Sequence, residues 1–305
     1  MLCGFHVQLS AYVAGFSNRR MVAYRNAFDY DRRYGGFLGQ YRNSTFIKGI
    51  KTMKKANAYI IYDGPSQIDG QRIVAIANVA KSRNTKTGSM LQTYIIRPDI
   101  NPLEANKTGE DFSICGNCPH RGEATNDPAR KTAKNRSCYV NLGQGVLITY
   151  KAYKAGKYPA ITGHEAIAAL GAGRMVRIGT YGDGAAVPSY IWESLISQAA
   201  GHTAYSHQSG HNGAAFDPNI YMQSADTESE ALAAWQAGRR TFRVIDKIEA
   251  MIAGKEILCP ASEEAGRKTQ CIDCGLCGGN STKSPKSIAI VAHGAGAGNF
   301  KRKAA

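Results

Sequence analysis

The run Met175-Val176-Arg177-Ile178-Gly179-Thr180-Tyr181-Gly182-Asp183-Gly184 decides the fold class. Residues 175–178 read as a short buried strand, a glycine-rich turn follows at once, and Pro188 opens a helix over 190–199. The alternation continues outward. A helix over 165–170 precedes the run, and strands at 202–206 and 220–223, a helix at 227–237 and strands at 241–245 and 256–258 follow it. Gly201 and Gly238 stand where the helices should stop. Short apolar strands alternating with amphipathic helices predict βα units on a parallel sheet, in an α/β architecture with enough repeats for a barrel; a doubly wound sheet is the alternative.

Nearer the N-terminus the pattern changes. The stretches 58–62, 72–77 and 91–97 are aliphatic or aromatic runs separated by Asp63-Gly64-Pro65, Asp69-Gly70 and Lys86-Thr87-Gly88, which predicts an antiparallel β-rich region. Five segments follow: a basic arm at 1–55, the β-rich region at 56–110, a Cys/His-containing basic loop and helix at 111–160, the βα repeats at 161–258, and a cysteine-rich, metal-binding segment with a basic tail at 259–305.

Charge is distributed unevenly. The formal net charge is +15, residues 1–55 carry ten Lys or Arg against Asp29 and Asp31, and Lys301-Arg302-Lys303 lies near the C-terminus. Clustered cations raise the local potential toward polyanions, so nucleic acid is the expected partner, DNA ahead of RNA. No stretch reaches the roughly 18 apolar residues needed to span a bilayer, so no membrane partner is expected. The N-terminus lacks the ordered regions of a secretory signal, and clustered cysteines without a leader point to a reducing cytoplasm, that of the host if the protein is viral.

The densest chemical signal is Cys271-Ile272-Asp273-Cys274-Gly275-Leu276-Cys277, with Cys259 upstream and His293 downstream. Thiols spaced by two residues cannot pair with one another without severe strain, but a tight turn aims them all at one point. Metal ligation is the expectation, as zinc or as an iron–sulfur cluster that would take the thiolates and leave the histidine free. A second group, Cys115, Cys118, His120 and Cys138, combines a chelating Cys-x2-Cys pair with two later donors and fits zinc's four-ligand requirement. His120 could instead contact substrate, which would leave three thiolates and an open position on the metal.

Loops leaving the C-terminal ends of parallel strands face the active site in such architectures. That position selects Asp183 as the leading catalytic carboxylate, then Asp226 and Asp246. Asp226 also reads as a natural helix cap before Thr227. His207, following the strand at 202–206, is the candidate acid, base or ligand.

A parallel barrel, strand-end aspartates and three clustered cysteines followed by a histidine resemble the guanine transglycosylases, which exchange guanine in tRNA, or in DNA for viral relatives, for a 7-deazaguanine base. The resemblance implies zinc held by Cys271, Cys274, Cys277 and His293. It also implies that Asp183 and Asp226 are the candidate carboxylates for attack on the sugar C1′ and for base recognition or proton transfer, with a small-molecule base as co-substrate. It is confined to the C-terminal part of the chain. Two residues rather than one separate the first two cysteines, and the family's Asp-Ser-Gly-Gly-Phe-Gln loop has no counterpart. The residues also accommodate an iron–sulfur enzyme, whose radical variants customarily carry a Cys-x3-Cys-x2-Cys loop absent here, or a non-catalytic zinc-dependent DNA-binding protein.

Overall fold

The computed structural model describes residues 56–300 apart from 82–83, 212, 282–283 and 295, all within one compact unit, Lys54–Ala305. The basic arm expected at 1–55 and the cations at 301–303 lie outside the described residues.

The antiparallel region forms first along the chain. Strands β1 (Ala58–Pro65), β2 (Arg72–Asn78) and β3 (Leu91–Ile96) pair antiparallel in sequence order. Ile73, Val74, Ala75, Ile76 and Ala77 are all fully buried, as a strand covered on both faces requires. The β1–β2 turn closes through the Ser66 N–H to Gln71 O bond at 2.7 Å, and Asp63 meets Arg72 across the pair.

A long crossover then reverses the pairing. Helix α1 (Pro102–Thr108) starts where Asn101 accepts the Leu103 N–H and Pro102 fills the first turn, and it stops at left-handed Gly109. After α2 (Phe112–Cys115), α3 (Leu147–Lys154) and α4 (His164–Gly171), strand β4 (Met175–Tyr181) lies parallel to β3. Helix α5 (Ser189–Ile196) leads back to β5 (Gly201–Thr203), parallel to β4, and so completes a five-stranded sheet in the order β1-β2-β3-β4-β5. Trp192 on α5 is fully buried and donates its indole N–H to Gly184 O at 2.8 Å, pinning the helix to the turn after β4.

The second sheet is wholly parallel. It contains β6 (Tyr205–Ser206), β7 (Met222–Ala225), β8 (Thr241–Ile245), β9 (Glu256–Leu258) and β10 (Ser287–Val291), ordered β6-β7-β8-β10-β9. Between β7 and β8, helix α6 (Glu228–Gln236) begins with a reciprocal Thr227–Glu230 capping box. Between β9 and β10, one turn of helix, α7 (Cys271–Cys274), carries two of the clustered cysteines.

A mixed α/β fold with a parallel sheet and an antiparallel region is thus present, but the expected barrel is not closed among the described strands. The reason lies in strand order. The β1–β3 meander caps one end of the first sheet, while β10 inserts between β8 and β9 and leaves β9 on the opposite edge. Near that edge Arg243 of β8 and Glu256 of β9 form a buried two-point ion pair at 2.8 and 2.6 Å.

Side-chain alternation sets the site. Gln92 and Tyr94 on β3, Arg177, Gly179 and Tyr181 on β4, Thr203 and Tyr205 around β5 and β6, Phe242 and Val244 on β8, and Ile288 and Ile290 on β10 all line one cavity. Residues two apart share a face of a strand, so both sheets turn one face toward a common space.

Candidate functional site

The cavity has a volume of about 600 Å³. Its wall holds Cys115, Cys118 and Cys138 in one group and Cys259, Cys271, Cys274 and Cys277 in another, and all seven are free thiols.

The first group is held by a clamped loop. Arg121 bonds to the Asp111 carboxylate at 2.5 Å and to Gly116 O and Gly109 O at 2.9 and 2.7 Å. Gln208 donates its amide to Cys115 O at 3.0 Å and to Asp183 Oδ2 at 3.2 Å, while its Oε1 accepts the Asn117 N–H at 3.3 Å. Gly116 has φ of +53°, and a Cβ there would sit 2.2 Å from Gln208 Oε1, so only glycine allows the loop this close. Cys138 reaches the group because its N–H and that of Ser137 bond to His120 O at 3.0 and 3.2 Å. Burial raises the Cys115 thiol well above its ordinary pKa, and Asp111, Cys118 and Cys138 add to that.

The second group is gathered by backbone bonds to distant parts of the chain. The Cys259 N–H bonds to Ala289 O at 2.8 Å, the Cys271 N–H to Lys86 O at 2.9 Å, and Cys277 O accepts the Ala204 N–H at 2.9 Å. Left-handed Gly275 ends α7 and turns the chain toward Cys277. Burial pushes the Cys277 thiol up to about 12, with Cys259, Cys271 and Cys274 adding to the effect. The compensating cation is Arg177. Burial works against its charge, but neighbouring Tyr139, Tyr205 and Cys271 more than offset this and raise its pKa, and its Nη2 bonds to Tyr139 Oη at 2.5 Å.

His293, expected to ligate metal with this second group, lines the same cavity. Its Nδ1 lies 3.1 Å from Val291 O and its Nε2 3.3 Å from Lys86 Nζ, and the ring stacks on Tyr139 at 5.6 Å between centroids. His120, expected beside Cys115, Cys118 and Cys138, has its Nε2 against the Asp226 carboxylate.

His120 instead meets His207 and Asp226. Their ligand-type atoms, one per residue, all lie within 4.8 Å of one another, and among the described residues this is the one group of three or more His, Cys, Asp or Glu that does so. His120 Nε2 lies 3.0 Å from Asp226 Oδ1, and His207 Nε2 lies 3.4 Å from Asp226 Oδ2. Burial raises the Asp226 carboxyl, but the two imidazoles more than reverse this and hold it well below the usual carboxylate range. Burial lowers the His207 imidazole, and the Cys118 thiol and Asp226 carboxylate beside it carry it well above its ordinary value.

Asp183 also lines the cavity, but its carboxylate is committed. Oδ1 accepts the Ala185 N–H at 3.0 Å, and Oδ2 accepts the His207 N–H at 2.9 Å and the Gln208 amide at 3.2 Å. Burial raises its pKa against these hydrogen bonds. His202 is a core residue whose Nε2 lies 3.0 Å from Ile220 O.

Sequence reasoning missed Lys86, Tyr139, Arg177 and Tyr205 as cavity residues. The alternation along 202–206 offered a signal for Tyr205, since it shares a strand face with His207. It also placed His207 and Asp226 just past the ends of strands that prove to be neighbours, without indicating that His120 would join them.

Among the described residues no helix is long and apolar enough to cross a membrane. No family model, curated protein or solved structure matches the chain, so its placement rests on the geometry above.

Proposed function

We propose that this chain is an iron–sulfur enzyme. One cluster would be held by Cys115, Cys118 and Cys138, a second by Cys259, Cys271, Cys274 and Cys277, and both would face a nucleotide-sized anionic substrate in the shared cavity. The observation that carries the reading is the lining of one cavity by two separate sets of free thiols. A structural zinc site closes on itself and needs no substrate-sized space beside it.

Ligand spacing supports a cluster over zinc. Tetrahedral zinc with Zn–S bonds of about 2.3 Å draws its sulfurs to about 3.8 Å from one another. No three thiols among the described residues close within 4.8 Å. A cluster tolerates wider spacing, because each thiolate binds a different iron. Cys115, Cys118 and Cys138 would supply three thiolates to such a group and would leave a further position for substrate. Bound clusters would supply electron transfer and Lewis acidity; Arg177 would offset thiolate charge, and Gln208 with Arg121 would fix the first loop.

Size and charge support the substrate class. About 600 Å³ lies within the range of small-ligand sites, about 300–1,000 Å³. The net charge of +15 favours a polyanion, from which an extruded base could enter the cavity. Base exchange asks Asp183 to attack a sugar carbon; with three donors on its two oxygens, that role gains no support from the geometry.

Anaerobic purification followed by iron and acid-labile sulfide analysis tests the reading. The expected protein is brown, with iron and sulfide in equal amounts, each reduced in Cys118→Ser and in Cys274→Ser. A colourless protein with stoichiometric zinc on its thiols would replace it with a structural-zinc reading. Salt-sensitive DNA binding with cluster bleaching on turnover would place the substrate; a cluster unaffected by nucleic acid would remove that substrate class.

A further inference from the structure

We propose that His120, His207 and Asp226 form a mononuclear site for a borderline divalent transition-metal ion, distinct from the two thiol sets. The distances are those of a coordination shell. Two ligands each about 2.1 Å from a metal lie about 3.0 Å apart at octahedral angles and about 3.4 Å apart at tetrahedral ones. The observed separations from the Asp226 oxygens are 3.0 Å to His120 and 3.4 Å to His207.

The directions agree with the distances. His120 Nε2, His207 Nε2 and Asp226 Oδ1 are buried, and although they lie 3.0 and 3.4 Å from their neighbours their alignment falls short of a well-formed hydrogen bond. Buried polar atoms without a partner are costly and rare. An ion among these donors would satisfy all three at once. It would leave further coordination positions for water or a substrate oxygen, as two histidines and one carboxylate commonly do.

Each ligand is fixed independently. His120 Nδ1 lies 2.8 Å from Ser137 Oγ; donation to that hydroxyl selects the tautomer that frees Nε2 as a lone pair, and Phe300 stacks on the ring at 5.8 Å. His207 is held through its backbone N–H by Asp183. The Asp226 N–H bonds to Glu230 Oε2 at 2.6 Å, one residue before the capped start of α6. A substituted ligand would therefore remove binding without dismantling the strands that carry it.

The donor set is hard to borderline, unlike the thiols, and that difference makes the site separately testable. Manganese(II) prefers oxygen and nitrogen donors to thiolates. Titrating it into the full chain, with loss of the free-ion EPR signal as the readout, should show a single tight equivalent that zinc displaces. The affinity should fall by at least about tenfold in His120→Gln and in Asp226→Asn, and measurably in Ser137→Ala, which keeps all three ligands. It should persist in Cys259→Ser and Cys274→Ser. Absence of saturable binding, equal binding in His120→Gln, or loss of binding in Cys274→Ser would overturn the site. The count is independent of iron and sulfide content, so it fails or succeeds separately from the cluster reading. Circular dichroism of each variant separates lost ligation from lost folding.

Discussion

Asp183 Oδ2 accepts the backbone N–H of His207 at 2.9 Å, so the carboxylate that sequence position selects for chemistry instead fixes the histidine beyond the neighbouring strand. The same oxygen takes the Gln208 amide, and the other takes the Ala185 N–H. Asp183→Asn is nearly isosteric but presents an amide where an acceptor is needed. We expect a loss of about 1–3 kcal/mol in urea unfolding, the range for a buried donor left unpaired. Unchanged stability would mean that the loop does not depend on this contact.

Gly116→Ala should be disproportionately harmful for a single methyl group. The residue would have to hold φ of +53° and displace Gln208, because the added carbon would fall 2.2 Å from Gln208 Oε1. A sparsely allowed backbone conformation alone costs about 1–3 kcal/mol. Lower thermal stability together with poorer metal uptake at Cys115, while the Cys274 group still loads, is the expected pattern. Equal uptake at both groups would contradict it.

The Arg243–Glu256 pair ties β8 to β9 through two bonds of 2.8 and 2.6 Å, with almost no exposure of either side chain. Glu256→Gln should cost about 3–5 kcal/mol, because it strands a buried guanidinium. The double variant Arg243→Met/Glu256→Met should recover most of that. Chemical denaturation of the two proteins decides; a double variant no better than the single would reveal a further role for one side chain.

His202 should make stability depend on pH. Burial lowers its pKa, and its Nε2 lies 3.0 Å from Ile220 O. A depressed folded-state pKa means that the unfolded chain binds the proton more readily. The contribution is therefore complete above the ordinary imidazole value of about 6.5 and is lost as pH falls toward the folded value, at about 1.4 kcal/mol per unit of difference. His202→Gln retains a donor for Ile220 but cannot titrate. Its unfolding midpoint should be flatter than wild type over the same acidic window.

Local pattern carried much of the fold. The strands predicted at 241–245 and 256–258 match the structure residue for residue, because apolar or β-branched runs there are bounded by turn signals. The helix predicted at 227–237 is found at Glu228–Gln236, but its cap is Thr227, through a reciprocal box with Glu230, and not Asp226, whose side chain meets the two histidines instead. Strand order was not legible in this way. That β10 enters between β8 and β9 depends on contacts across the fold, and without it the repeats read equally well as a barrel. The site divides along the same line. Both cysteine groups were evident from spacing. Sequence proximity groups His293 with the thiols, but not with Lys86, its Nε2 partner 207 positions away. His120, His207 and Asp226 were each singled out, but no periodicity relates a loop histidine to two strand ends.

Ala204, the single residue between β5 and β6, donates its N–H to Cys277 O and accepts the Met222 N–H. One residue thereby splices the two sheets and the thiol-bearing turn. Its amide proton is a built-in gauge, with slow isotope exchange while the turn is seated and quick exchange once it lifts away. If the proposed thiol sites take up metal, their loading is thus readable from a buried backbone amide, with no label attached to the cysteines themselves.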